Sequence, residues 1–198
     1  VEQTGAEGDY NFGSADSVDA SNNYASTDGF VTGTGITADG KGHGYAVAAD
    51  STIKIKVDGM AQIDILGCAH GNGAPFKATA GETVLADVAS CKASTDGGIG
   101  ATFYYTTAKE ADIVITFSGA GWVHGVKVTK LDSWNSVTGI AVTAADGATS
   151  VNTNDTLQLT ATITPENATS KTVKWSSGDE TIATINGKNA IDNEDIES

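Results

Sequence analysis

Residues 51–66, STIKIKVDGMAQIDIL, alternate between apolar and polar side chains twice over. On an extended chain Ile53, Ile55 and Val57 fall on one side and Lys54 and Lys56 on the other. Ile63 and Ile65 repeat the pattern, with Gln62 and Asp64 opposite. A period of two is the mark of a half-buried β-strand, because successive side chains of a pleated chain point to opposite faces. The pattern spreads outward in both directions. ADIVITF (111–117) aligns Ile113, Ile115 and Phe117, and GYAVA, TVLADV and ATFYYTT add shorter runs. No stretch carries the three-to-four spacing of a long amphipathic helix. The 24 glycines, against two prolines, supply the turns. Many short strands between glycine breaks predict an all-β sandwich, jelly-roll-like in its strand count.

The texture changes at LDSWNSV (131–137). Beyond it glycine thins out, and Leu157, Leu159, Ala161 and Ile163 alternate with polar residues. The 198 residues therefore divide into a β-sandwich over 1–131, a linker at 132–137 and a smaller β-sandwich over 138–198.

Composition narrows the partners. The formal charge is −14, and all eleven bases are lysines. Nucleic-acid binders need basic surfaces and arginine forks, so DNA and RNA are excluded as partners, and an anionic membrane with them. The absence of arginine also argues against bidentate capture of carboxylates or phosphates. A neutral ligand fits better. No apolar run is long enough to span a bilayer. The opening VEQTGAEGDY lacks the plan of a signal peptide, so an export signal, if used, would precede this numbering.

The second half resembles a known family. The order VTGIAVT, LQLTATITPENAT, VKWSS and IATI is similar to bacterial immunoglobulin-like domains of group 2. The resemblance implies a spacer on a secreted or surface-attached multi-modular protein, with Trp175 packed between its sheets. Against the family pattern, NGKNAIDNEDIES stands where further strands are expected, so the domain reads as incomplete. The first half, from DYNFG through GHGYAVA and ILGCAHG to IVITFSGAGWVHGVKVTKL, is similar to small β-sandwich modules of gut and rumen bacterial proteins that degrade or adhere to polysaccharides. That resemblance implies a non-catalytic carbohydrate-binding module, with further modules of the same parent chain as neighbours.

Sugars offer apolar C–H faces and a rim of hydroxyls. Binding them calls for exposed aromatics beside short polar side chains on a rigid scaffold. GAGWVHG (119–125) has two readings. Trp122 and His124 share parity with Val126 and Val128, which makes them core residues. Alternatively the strand end leaves the core, Trp122 becomes a stacking platform, and Gly119 and Gly121 make room for a flat ligand. In FYY, Phe103 and Tyr105 share the inner face and Tyr104 points out. The loop AHGNGAPFK (69–77) gathers His70, Asn72, Phe76 and Lys77. DGKGHGY (39–45) offers Asp39, Lys41, His43 and Tyr45, and Tyr24 sits in a loop-like stretch. The glycan-binding set is then Trp122, Tyr104, His70, Asn72, Lys77 and His124, facing a plant polysaccharide such as starch or xylan.

Metals and covalent links are minor expectations. Two cysteines, and histidines as far apart as His43, His70 and His124, lack the spacing of a zinc site, so no metal ligand set is assigned. A structural calcium remains as a cofactor, with Asp9 and Asp132 meeting at one edge. Cys68 and Cys91 are either two buried thiols or, in an exported protein, one disulfide. No nucleophile elbow, phosphate loop or H-E-x-x-H motif occurs, so no enzyme is expected. The rival to glycan binding is a structural or adhesive protein that binds a protein or cell-wall partner.

Overall fold

The computed structural model describes residues 3–13, 18–38 and 43–186. Contacts divide the chain into two compact units, Val1–Asp132 and Ser133–Ser198.

Among the described residues, the first unit holds twelve strands in two antiparallel sheets. One sheet holds β1 (Gly8–Asn11), β4 (Thr37–Ala38), β5 (Tyr45–Val47), β7 (Ala61–Gly67), β10 (Ile99–Tyr105) and β12 (Gly121–Lys130). Its order is β10-β7-β12-β5-β4, with β1 also paired to β12. The other holds β2 (Asn23–Ala25), β3 (Val31–Thr34), β6 (Thr52–Val57), β8 (Phe76–Ala80), β9 (Thr83–Val88) and β11 (Ala111–Phe117). Its order is β2-β3-β6-β11-β8-β9. The chain changes sheets at most connections, as in jelly-roll sandwiches.

Alternation decides what is inside. Ile53 and Ile55 on β6, Ile63 and Ile65 on β7, and Ile113 and Ile115 on β11 are completely buried in one shared core. Phe76 anchors one end of it. Its ring centroid lies 6.1 Å from that of Phe103 and 6.0 Å from that of Phe117, within the range of favourable tilted and edge contacts. Tyr24, expected on a loop, is a core residue. It pairs with Gly33 on β3, and its ring lies 4.7 Å from Phe12. Asp64 points outward as its parity requires, yet it is buried among its neighbours. Thr102 donates to its carboxylate at 2.6 Å and Gln62 donates at 3.0 Å. Those bonds compensate for the lost hydration.

In the second unit β13 (Gly139–Ala144) pairs antiparallel with β14 (Leu159–Thr164). The register sets Ile140 beside Ile163 and Val142 beside Ala161. These two strands form the one sheet among the described residues of that unit. Trp175 is only half-buried, where the family resemblance implies a core position. Among the described residues no helix is long and apolar enough to cross a membrane.

Candidate functional site

The decisive local feature is a bulge in β12. Val123 pairs with Gly67 and Gly125 with Leu66, so two steps along β12 match one step along β7, and His124 is the extra residue. A bulge shifts parity. Upstream of it Val123 is the inward residue, and downstream Val126 and Val128 are; all three are at most 1% exposed. Trp122 and His124 therefore face outward and are half-buried. Of the two readings open in the sequence, the core one fails because counting by twos from Val126 does not survive the extra residue.

The β7–β8 loop covers this strand end. Gly121 lies so close to Ala74 that a Cβ on it would strike the Ala74 backbone. That glycine serves chain packing, not room for a ligand. The glycine that shapes the surface is Gly71, in the left-handed region at φ +64°. A Cβ there would run into Cζ3 of the Trp122 indole. Ala46, Gly71, Asn72, Ala120, Gly121 and Trp122 line a shallow, mainly apolar depression of about 350 Å³. Asn72, exposed on its rim, is its one amide.

Beside the depression the three histidines converge. The His43 and His70 rings lie 4.8 Å apart, and His43 meets Trp122 edge-on at 5.9 Å. His70 Nε2 is 3.3 Å from Asp96 Oδ2. Asp96, from the β9–β10 loop, also accepts from the Ala69 N–H at 2.8 Å and from the Cys68 thiol at 3.2 Å. The Ala69 N–H, then the Cys68 thiol, and then the nearby His70 and His124 hold the Asp96 carboxyl below its ordinary range. Cys68, Asp96 and His124 place one ligand atom each within 4.8 Å of one another. Sequence spacing hid this group, because its members come from two loops and a strand that only the fold joins. Asp96 carried no signal in the sequence.

The remaining expected residues scatter. Tyr104 lies on the outer face, with Phe103 and Tyr105 inside as the alternation requires. Its register through Gln62 reaches Thr129, seven residues along β12 from Trp122. At the rise of a strand the two aromatics stand about 20 Å apart on one face. Lys77 is on β8, in the other sheet, where it pairs with Asp87 at 3.4 Å. It cannot join His70 and Asn72, because Phe76 beside it is committed to the core. Tyr45 packs against the core and meets Phe12 edge-on at 6.1 Å. Asp39 and Lys41 lie outside the described residues. Asp9 is opposite Lys127 on β12, and Asp132 follows the end of that strand.

Cys68 and Cys91 are thiols, not a disulfide. Cys91 is fully buried within the hydrophobic core, and burial raises its pKa to about 11. Cys68 lies outside that core cluster and turns its sulfur to Asp96 and to the His70 N–H, 3.2 Å away. The two side chains serve different surroundings.

These features define an all-β protein with a sandwich unit that carries an outward tryptophan beside a histidine cluster, followed by a smaller β unit. Residues 136–192 match the model of the bacterial Ig-like domain (group 2). The chain is also similar to 3-O-alpha-D-galactosyl-alpha-L-arabinofuranosidase of Bifidobacterium longum subsp. longum, 42% identical over 55 residues. That match covers 26% of this chain and 5% of the enzyme, so the chain spans a small fraction of that relative's length. No solved structure matches the chain.

Proposed function

We propose that residues 3–132 form a non-catalytic module that binds a neutral polysaccharide through Trp122, and that the immunoglobulin-like unit carries it within a larger secreted or surface-attached bacterial protein. One observation carries this reading: the His124 bulge turns Trp122 out of the core beside an apolar depression with an amide at its rim. An indole with one amide suits a sugar face and its hydroxyl rim. At about 350 Å³ the depression falls at the small end of ligand sites, room for a sugar or two of a longer chain. Tyr104 on the same face offers a second contact farther along such a chain. The lack of arginine favours neutral glycans such as starch or xylan over uronates. The Ig-like match and the similarity to a glycan-cleaving enzyme support a carbohydrate-related setting at the cell surface.

Affinity electrophoresis in gels containing starch, xylan, glucomannan or pectin tests the reading. Retardation in a neutral-glycan gel is expected. Trp122→Ala should weaken binding about thirtyfold, the equivalent of about 2 kcal/mol for an aromatic anchor, with little change in thermal midpoint. Retardation that survives the substitution would overturn Trp122 as the platform.

A second reading rests on the other unit. Ile140 and Val142 on β13 are 55% and 54% exposed. Adjacent apolar side chains of this kind suit an adhesive contact with a protein partner. Self-association by light scattering, with no retardation in any gel, would favour it.

A further inference from the structure

We propose that Cys68, Asp96 and His124, completed by His70, form a binding site for a zinc-class divalent metal ion. The glycan reading does not enter this inference.

The donor set is the first argument. Thiolate, imidazole and carboxylate together select zinc and its neighbours over calcium or magnesium, which prefer oxygen alone. Spacing is the second. Ligand atoms bound tetrahedrally at about 2.0–2.3 Å from an ion stand about 3.4 Å from one another. Cys68 Sγ is 3.2 Å from Asp96 Oδ1, and His70 Nε2 is 3.3 Å from Asp96 Oδ2. No pair in the Cys68–Asp96–His124 trio exceeds 4.8 Å, so closing on an ion requires a contraction of at most about 1.5 Å. His70 is 60% exposed on a glycine-flanked loop and has the freedom to swing in as the fourth ligand.

The third argument is independent of the trio's spacing. His124 Nε2 is buried and finds no hydrogen-bond partner among the described residues. Buried polar atoms are nearly always satisfied, and the imidazole that brings one ligand atom to this cluster carries a ring nitrogen that is not, as a missing ion or water would leave it. The bulge that turns Trp122 outward also delivers His124 to this cluster, so one irregularity builds both features.

Binding is a simple exchange. The Cys68 S–H bond breaks, a metal–sulfur bond forms, and the thiol proton now directed at Asp96 leaves to solvent. The ion would tie the β7–β8 and β9–β10 loops to β12, and so hold the loop that carries Gly71 over Trp122.

The test uses the whole chain with zinc and cobalt(II) as probes. Calorimetry should find one zinc per chain with Kd of about 1 µM or tighter. Cobalt should give a sulfur-to-metal charge-transfer band and tetrahedral visible bands. Cys68→Ser should abolish the sulfur band and weaken zinc at least about tenfold, whereas Cys91→Ala should keep the band. His70→Ala, on an exposed loop and therefore safe for folding, should weaken zinc about tenfold and reduce the rise in melting temperature that zinc produces in the parent. Zinc binding weaker than about 1 µM, or binding left unchanged by Cys68→Ser and His70→Ala, would overturn the proposal.

Discussion

Gly71→Ala is the sharpest probe of how the depression is built. The substitution does two separable things. It places a side chain at φ +64°, where an L-residue costs about 1–2 kcal/mol. It also drives a Cβ into the Trp122 ring, an overpacking that costs about 1–3 kcal/mol. Stiffening the unfolded chain offsets about 0.4–1 kcal/mol. The net loss should be about 2–4 kcal/mol by denaturant unfolding followed by far-UV circular dichroism. Only the steric part depends on the indole. In a Trp122→Ala background the same change should therefore cost no more than about 1.5 kcal/mol, leaving a coupling of about 1–3 kcal/mol in the double-mutant cycle. A backbone explanation predicts equal costs in both backgrounds. Equal costs would refute the packing of Gly71 on Trp122, and with it the geometry of the depression. Among Gly71 variants, the size of the side chain should also track the loss of polysaccharide retardation.

Other outcomes follow from single features. Denaturing, non-reducing alkylation should label both cysteines, and native labelling at neutral pH should spare Cys91, whose thiol burial holds at about 11; one unlabelled pair in the denatured sample would mean a disulfide. Tyr10 is pushed up to about 12, chiefly by burial, while its hydroxyl donates to Asp28 at 2.9 Å. A folded-state pKa above the unfolded value of about 10 contributes stability that is complete below pH 10 and lost as pH rises toward 12; Tyr10→Phe should flatten that alkaline limb of the stability curve. Phe76→Ala should cost about 3–5 kcal/mol through the cavity left between Phe103 and Phe117, seen as a lowered denaturant midpoint. Removing residues 134–198 should leave polysaccharide affinity within a few-fold, because the depression is lined entirely from the first unit; a hundredfold loss would place part of the site in the second.

The alternation of STIKIKV, AQIDIL, ADIVITF and FYY determined which side chains enter the core, because a strand's two faces are set by its own backbone and need no knowledge of a partner. The excess of acidic residues and the absence of arginine likewise belong to the chain alone. What the tertiary structure decided are the places where one segment acts on another. Counting by twos put Trp122 inside; an extra residue in β12, where its register against β7 shifts, put it outside. Tyr24 read as a loop residue until β3 paired beside it. Lys77 read as a neighbour of His70 until Phe76 drew the chain into the opposite sheet. Cys68, Asp96 and His124 are distant in sequence and share a few ångströms only because two loops close over the end of β12. Periodicity is a local property and survives in the one-dimensional string. Bulges, close approaches and ligand clusters depend on register between strands far apart in the chain, and that register exists only once the sheets have formed.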